Sequence, residues 1–196
     1  MKKLLLMLLA IAFLVSAMAQ KWAKNFDFVN ECICGMSLVG KNKMYGYVDK
    51  AGTIIVPLEY HEGLTFHEGY AALRKNDNWA FLDSTGKFIT PFEYSDVQGF
   101  TIGMAPAKKN GSWGFVDTLG KAVVPFQYSN ARQFSEGLAA VANKGKELWG
   151  FINRHGDAII AFDYDFADSF NEEGEARVIK RGKMIWIDKN NQKVHE

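Results

Sequence analysis

Apolar and polar residues alternate along this chain in short stretches of period two. In Trp113-Gly114-Phe115-Val116-Asp117 the large rings fall on one face and the small or aliphatic residues on the other, the pattern of a β-strand. The same stretch returns as Tyr45-Gly46-Tyr47-Val48-Asp49, Trp79-Ala80-Phe81-Leu82-Asp83 and Trp149-Gly150-Phe151-Ile152-Asn153, with a worn copy at Met184-Ile185-Trp186-Ile187-Asp188. The steps between first residues are 34, 34, 36 and 35. Repeats at a fixed period of this size signal an array of small units, each unable to bury its faces alone.

Other landmarks keep the phase. A glycine follows the acid by three residues (Gly52, Gly86, Gly120, Gly156), so Asp49, Asp83 and Asp117 read as turn-capping acids with glycine supplying the left-handed position. Pro57, Pro91 and Pro125 close the return strand, because proline has no donor for a ladder. Tyr60, Tyr94, Tyr128 and Tyr164 come next, then Phe66, Phe100, Phe134 and Phe170 shortly before another glycine. An alternating stretch such as Leu138-Ala139-Ala140-Val141 makes a third strand. No sustained 3.6-residue period follows the first twenty residues. Any helix there is expected to be a short turn, around Asp96 to Phe100 or Asn130 to Phe134.

The expected fold is therefore all-β: tandem repeats of about 34–36 residues, each a three-stranded antiparallel meander. Units are placed at 44–78, 79–112, 113–148 and 149–183, with partial units at 22–43 and 184–196. The terminal pieces are complementary. They combine to close a propeller-like ring, or the array stays an open curved solenoid; the repeat pattern allows both. Trp79, Trp113 and Trp149 form the expected seam between units, and Gly114 and Gly150 beside them admit a neighbouring backbone.

These residues, from Trp-Gly-Phe-x-Asp through Pro-Phe-x-Tyr to Phe-x-Glu-Gly-Leu-Ala, resemble the WG-repeat (KWG-repeat) family over about residues 44–196. The resemblance implies a β-rich repeat module, found mainly in bacterial and often exported proteins. It carries over no catalytic residue. Tyr45 for Trp, Ala80 for Gly, and Met184-Ile185 for Trp-Gly depart from the pattern.

The N-terminus reads as an address. Lys2 and Lys3 precede an apolar run from Leu4 to Val15 and a small-residue site, Ala17-Met18-Ala19. Residues 1–19 are expected to be a cleaved signal peptide, since the run falls short of the roughly 20 residues of a membrane span. Residues 20–196 form one repeat domain, periplasmic or secreted, with no stable membrane anchor.

The formal net charge of +1 removes the usual electrostatic argument for a nucleic-acid partner. Cys32 and Cys34 read as small apolar strand residues rather than a bridge. No nucleophile elbow, phosphate loop or zinc-helix motif occurs, and His61, His67, His155 and His195 are scattered. No cofactor and no metal is expected. The fourth unit breaks the pattern with a run of acids, which makes Asp163, Asp165 and Asp168 candidates for cation or basic-partner binding. Trp22 has no repeat counterpart and is the candidate exposed ring. The functional expectation is an exported, non-catalytic scaffold for a protein or cell-envelope ligand. The alternatives are a glycan-active enzyme using loop carboxylates and a purely structural envelope protein.

Overall fold

The computed structural model describes residues 21–195, so the signal-peptide segment lies outside the described residues. Antiparallel meanders follow one another along the chain. The first unit comprises Phe28–Val29, Met36–Lys41, Met44–Asp49 and Ile54–Tyr60, paired in that order. The second comprises Glu62–Gly63, Tyr70–Lys75 and Asn78–Asp83, completed by bridges from Trp79 to Tyr94 and from Leu82 to Phe88. The third comprises Asp96–Val97, Met104–Lys109, Ser112–Asp117 and Ala122–Ala131. That last ten-residue strand bends past Tyr128 to start the fourth unit, which continues with Ala139–Asn143, Trp149–Ile152 and Ala158–Tyr164. The fifth is Phe166–Ala167, Glu175–Lys180, Lys183–Asp188 and Lys193–His195.

The expected three-strand meanders are present, the last strand of the second unit reduced to two bridges, and each is preceded by a two-residue strand or, in the fourth unit, by the end of the ten-residue strand. This short strand occupies the segments expected to be helical turns at Asp96 and Asn130. Extension wins there because Ser95 and Gln98 donate their N–H groups to Lys108 and Pro106 of the next strand, at 2.8 and 2.9 Å. Among the described residues the only helix is a 3-10 turn, Trp22–Asn25. The terminal pieces do not merge into a composite unit. Phe28–Val29 completes the first sheet and Lys193–His195 completes the last, and among the described residues no ladder joins the two.

The core is a series of seams. On each Trp-bearing strand, alternate residues face opposite neighbours. Tyr47, Phe81, Phe115 and Phe151 pack against the unit that follows, while Leu82, Val116, Ile152 and Ile187 pack against the one before. A phenylalanine from each following unit plugs the seam. Phe66, Phe100, Phe134 and Phe170 meet those rings at centroid distances of 4.9, 5.1, 4.8 and 4.8 Å. Trp79, Trp113 and Trp149 lie in the same seams, each almost fully buried.

Cys32 and Cys34 are exposed thiols, not strand residues. Cys34 takes the left-handed conformation (φ 53°) just before Gly35, the turn position that Glu68, Ile102 and Glu136 hold in later units. Cys32 stands where those units carry the seam phenylalanine.

Candidate functional site

The repeated acids are employed in turns. Asp49, Asp83, Asp117 and Asp188 each accept backbone N–H bonds through Oδ1 from the second and fourth residues ahead, at 2.7–3.2 Å, and Asn153 does the same. The amide of Thr53 holds the Asp49 carboxyl below the usual carboxylate range. Burial pushes Asp83 upward, but bonds from Thr85 and Lys87 outweigh it and leave that carboxyl lowered. Burial raises the phenols of Tyr47, Tyr60, Tyr94 and Tyr164, with Tyr94 pushed up to about 12, so these column tyrosines stay neutral at physiological pH.

The acidic run of the fourth unit does not converge. Asp163 pairs with Lys180 of the fifth unit, and its carboxyl is lowered by that hydrogen bond and charge. The same inter-unit position holds Glu59 with Lys75 at 2.9 Å and Glu93 with Lys109 at 2.8 Å. Gln127 and Asn143 occupy it between the third and fourth units. Asp165 accepts the N–H of Gly182, capping the next hairpin as His61 does for Asn76. Among the described residues no group of three or more His, Cys, Asp or Glu is placed to hold a metal ion. His61 and His67 serve different turns: His67 Nδ1 lies 2.7 Å from the carbonyl of Phe100.

Asp168 is the exception, because it belongs to a cluster. It binds Arg177 at 2.6 Å and Arg132 at 3.1 Å. The Arg132 guanidinium lies 5.0 Å from the Phe166 ring centre and 5.5 Å from that of Trp149, and its Nε donates to the carbonyl of Ala167 at 2.9 Å. Arg177 covers Phe166 from 5.8 Å. The Trp149 and Phe166 rings lie 5.7 Å apart, inclined by 52°, and with the two guanidiniums they form a compact cluster pinned by one carboxylate. It borders a cleft of about 260 Å³ across the third to fifth units, lined by Gln98, Asn130, Arg132, Gln133, Trp149, Phe166 and Ser169. Gln98 and Gln133 reach across the unit boundary to the carbonyls of Ala131 and Gly99, at 2.9 and 2.8 Å, which fixes the cleft walls.

Sequence reasoning missed Arg132 and Phe166. The available signal was a departure in register: Phe166 stands where other units carry Glu62, Asp96 and Asn130, and Arg132 where they carry Leu64, Gln98 and Asp168. A larger groove of about 540 Å³ runs beside Phe26, Met44, Ile54, Pro57 and Leu58. Asn25, Lys41 and Asn42 share its lining with these apolar residues; the smaller cleft is distinguished by joining three units and by carrying Arg132 and Phe166, which depart from the repeat.

Trp22 is half-buried rather than freely exposed. Its Nε1 donates to the carbonyl of Lys50 at 3.3 Å, and its ring covers Gly52 so closely that a Cβ there would lie 2.3 Å from Cγ. In later units the matching glycines rest on the preceding unit: Gly86 on Ile55 and Val56, Gly120 on Ile89 and Thr90, Gly156 on Val124. Trp22 thus takes the place of a preceding strand and caps the stack. Trp22→Ala is expected to cost about 1–2 kcal/mol. In hydrogen exchange, the amides of the Asp49–Thr53 turn are expected to lose protection before those of later turns.

A family model for the WG containing repeat matches residues 45–79, 79–113, 113–146 and 149–183. No curated protein matches the chain by sequence. Among solved structures, a crystal structure of a eukaryotic initiation factor superposes with a TM-score of 0.58 at 12% identity, covering 87% of this chain and 54% of that one. Kluyveromyces lactis Hsv2p superposes with a TM-score of 0.54 at 9% identity, covering 82% of this chain and 59% of that one. The chain therefore spans little more than half the length of these structures, and the likeness is one of fold alone: successive four-stranded meanders of the kind used as propeller blades. Among the described residues, no helix is long and apolar enough to cross a membrane.

Proposed function

This chain belongs to the WG-repeat family, and we propose that it is an exported, non-catalytic scaffold that binds a protein or cell-envelope ligand across its units. The observation carrying this reading is the cleft around Arg132. There, Arg132 and Phe166, which break the repeat, converge with the repeat tryptophan Trp149 and with amide groups. A guanidinium and fixed amide groups beside a half-buried phenyl ring suit a peptide or sugar-like ligand.

The non-catalytic part of the proposal is supported by how the candidate carboxylates are used. Asp163, Asp165 and Asp168 are each held by a hydrogen bond or ion pair within the fold. A glycosidase needs two facing acids free to act on one bond. Export is supported by the signal-like pattern of residues 1–19.

The test is affinity capture from an envelope extract with the mature chain and with Ser169→Arg, which fills the cleft from a half-buried position. A ligand retained by the wild type and lost from the variant, at unchanged melting temperature, is the expected result. Identical capture by both proteins would remove the cleft from the argument. Turnover of an envelope glycan by the purified chain would replace the scaffold with the enzyme.

A further inference from the structure

Arg132 carries more than its place in the repeat requires. At the matching position of the third unit, Gln98 reaches the next unit by donating from Nε2 to the carbonyl of Ala131 at 2.9 Å. Arg132 makes the corresponding bond to the fifth unit with Nε, to the carbonyl of Ala167 at 2.9 Å. An uncharged amide therefore suffices for this bridge, and the positive charge of Arg132 is surplus to it. Nor is that charge cancelled. Asp168 is shared between Arg132 and Arg177, so a single carboxylate faces two guanidiniums and one positive charge is left over. Arg132 is the one charged residue in the cleft lining, and its Nη1 makes no hydrogen bond among the described residues.

Backbone partners fix the orientation of the amide groups around it. Gln98 and Gln133 spend N–H groups on carbonyls, so their Oε1 atoms remain unpaired. Asn130 does the reverse: its Oδ1 accepts the N–H of Ala131 at 2.9 Å, which leaves its NH2 group. The Ser169 hydroxyl has no partner among the described residues. The cleft thus offers a guanidinium N–H, an amide NH2 and a hydroxyl as donors, and two amide oxygens as acceptors. One surplus charge flanked by two further donors matches a carboxylate. The two acceptors disfavour a ligand that is anionic all round, and call for O–H or N–H groups beside the carboxylate.

An acidic sugar and the carboxy-terminus of a peptide both carry that combination. The apolar part of the lining decides between them. It consists of Ala131, Trp149 and Phe166. Ala131 and Trp149 are almost fully buried, and the Phe166 ring is covered by Arg132 and Arg177 at 5.0 and 5.8 Å. The cleft leaves no open apolar face for a terminal side chain, whereas a hexuronate is polar around its whole rim. At about 260 Å³ the cleft is smaller than the roughly 300–1,000 Å³ of pockets that enclose drug-sized ligands, so it fits a single sugar residue of a longer chain.

We propose that the Arg132 cleft binds a carboxylate-bearing sugar, a hexuronate residue of an acidic glycan. This assignment rests on the scaffold reading above and names the ligand class of the same cleft. The carboxylate accepts from Arg132 Nη1, Asn130 and Ser169, and ring hydroxyls donate to Gln98 and Gln133.

Calorimetry with a galacturonate trisaccharide and with its methyl ester, which keeps the hydroxyls and loses the charge, tests the proposal. The acid is expected to bind the mature chain at least about tenfold more tightly than the ester. Arg132→Gln keeps an amide for the bridge to Ala167, as Gln98 shows. It is expected to weaken the acid by about tenfold to a hundredfold and to leave the ester within about twofold. Asn130→Asp keeps the acceptor for the Ala131 N–H, as Asp96 does for Val97, and is expected to weaken the acid by as much. Melting temperature checks that both variants are folded. Failure of the acid to bind, equal affinity for acid and ester, or equal loss of both from Arg132→Gln overturns the proposal. A peptide that binds more tightly than the trisaccharide, and no longer binds once its carboxy-terminus is amidated, overturns the sugar assignment. If any of these results accompanies loss of the captured ligand from Ser169→Arg, the scaffold stands with a different ligand. Identical capture by wild type and Ser169→Arg removes the cleft reading itself.

Discussion

Phe100→Ala is expected to destabilise the chain by about 3–5 kcal/mol, the usual cost of emptying a fully buried aromatic site. Phe100 is 0% exposed, and its ring lies 4.8 Å from that of Tyr70 and 5.1 Å from that of Phe81. It belongs to its own unit by sequence but fills the seam of the one before. The loss therefore falls on the contact between the second and third units rather than inside either. In a stack held by nearest-neighbour interfaces, weakening one interface uncouples the two sides. Urea unfolding of the variant should separate into two steps, with protection lost from Tyr70–Asp83 at a different denaturant concentration from Ala139–Ile152. A single unchanged transition would show that the seam phenylalanines are not the coupling element. Cys32, at the same repeat position in the first unit, is exposed, so Cys32→Ala is expected to stay within about 0.5 kcal/mol of wild type.

The parts of this fold legible in the sequence are those dictated within one unit. Trp113 to Asp117 announces its strand by alternation, and Asp117 with Gly120 announces its turn, because both signals depend on residues only a few positions apart. The first strand is two residues long in every unit but the fourth, as at Asp96–Val97, and two residues carry no period. What depends on a neighbouring unit was also hidden. The role of Asp163 rests on Lys180, and the placement of Trp22 rests on Gly52, both fixed by the stacking of distant segments. Asp168 is legible as an acid, but not as the pin of a guanidinium–aromatic cluster, because Arg132 lies 36 residues away.

Gly114→Ala tests the local half of this account. A Cβ at Gly114 would lie 2.6 Å from the carbonyl oxygen of Val124 and 2.9 Å from the backbone nitrogen of Phe126, closer than any side-chain adjustment can relieve. Gly46 and Gly150 face the same obstruction, at 2.5 Å from Val56 and 2.7 Å from Ile160. The fourth strand bulges across the glycine in these units, with the register slipping between Trp113 opposite Tyr128 and Phe115 opposite Val124. The second unit shows the consequence of a methyl group there. It carries Ala80, its fourth strand is reduced to two isolated bridges, and the Thr90 hydroxyl accepts the Phe81 N–H at 2.9 Å. Alanine at position 114 is therefore expected to lift Ala122–Tyr128 off its neighbour at a cost of about 1–3 kcal/mol. The same strand continues into the fourth unit, so the loss of order should spread to its pairing with Ala139–Asn143. Hydrogen exchange should report faster exchange in the ladder amides of 122–131, while those of 36–49 keep their protection. Ala80→Gly is not expected to restore a full strand in the second unit, because Thr90 already holds the Phe81 amide. Retention of both melting temperature and protection in Gly114→Ala would mean that the glycine of the repeat is not required by the backbone approach.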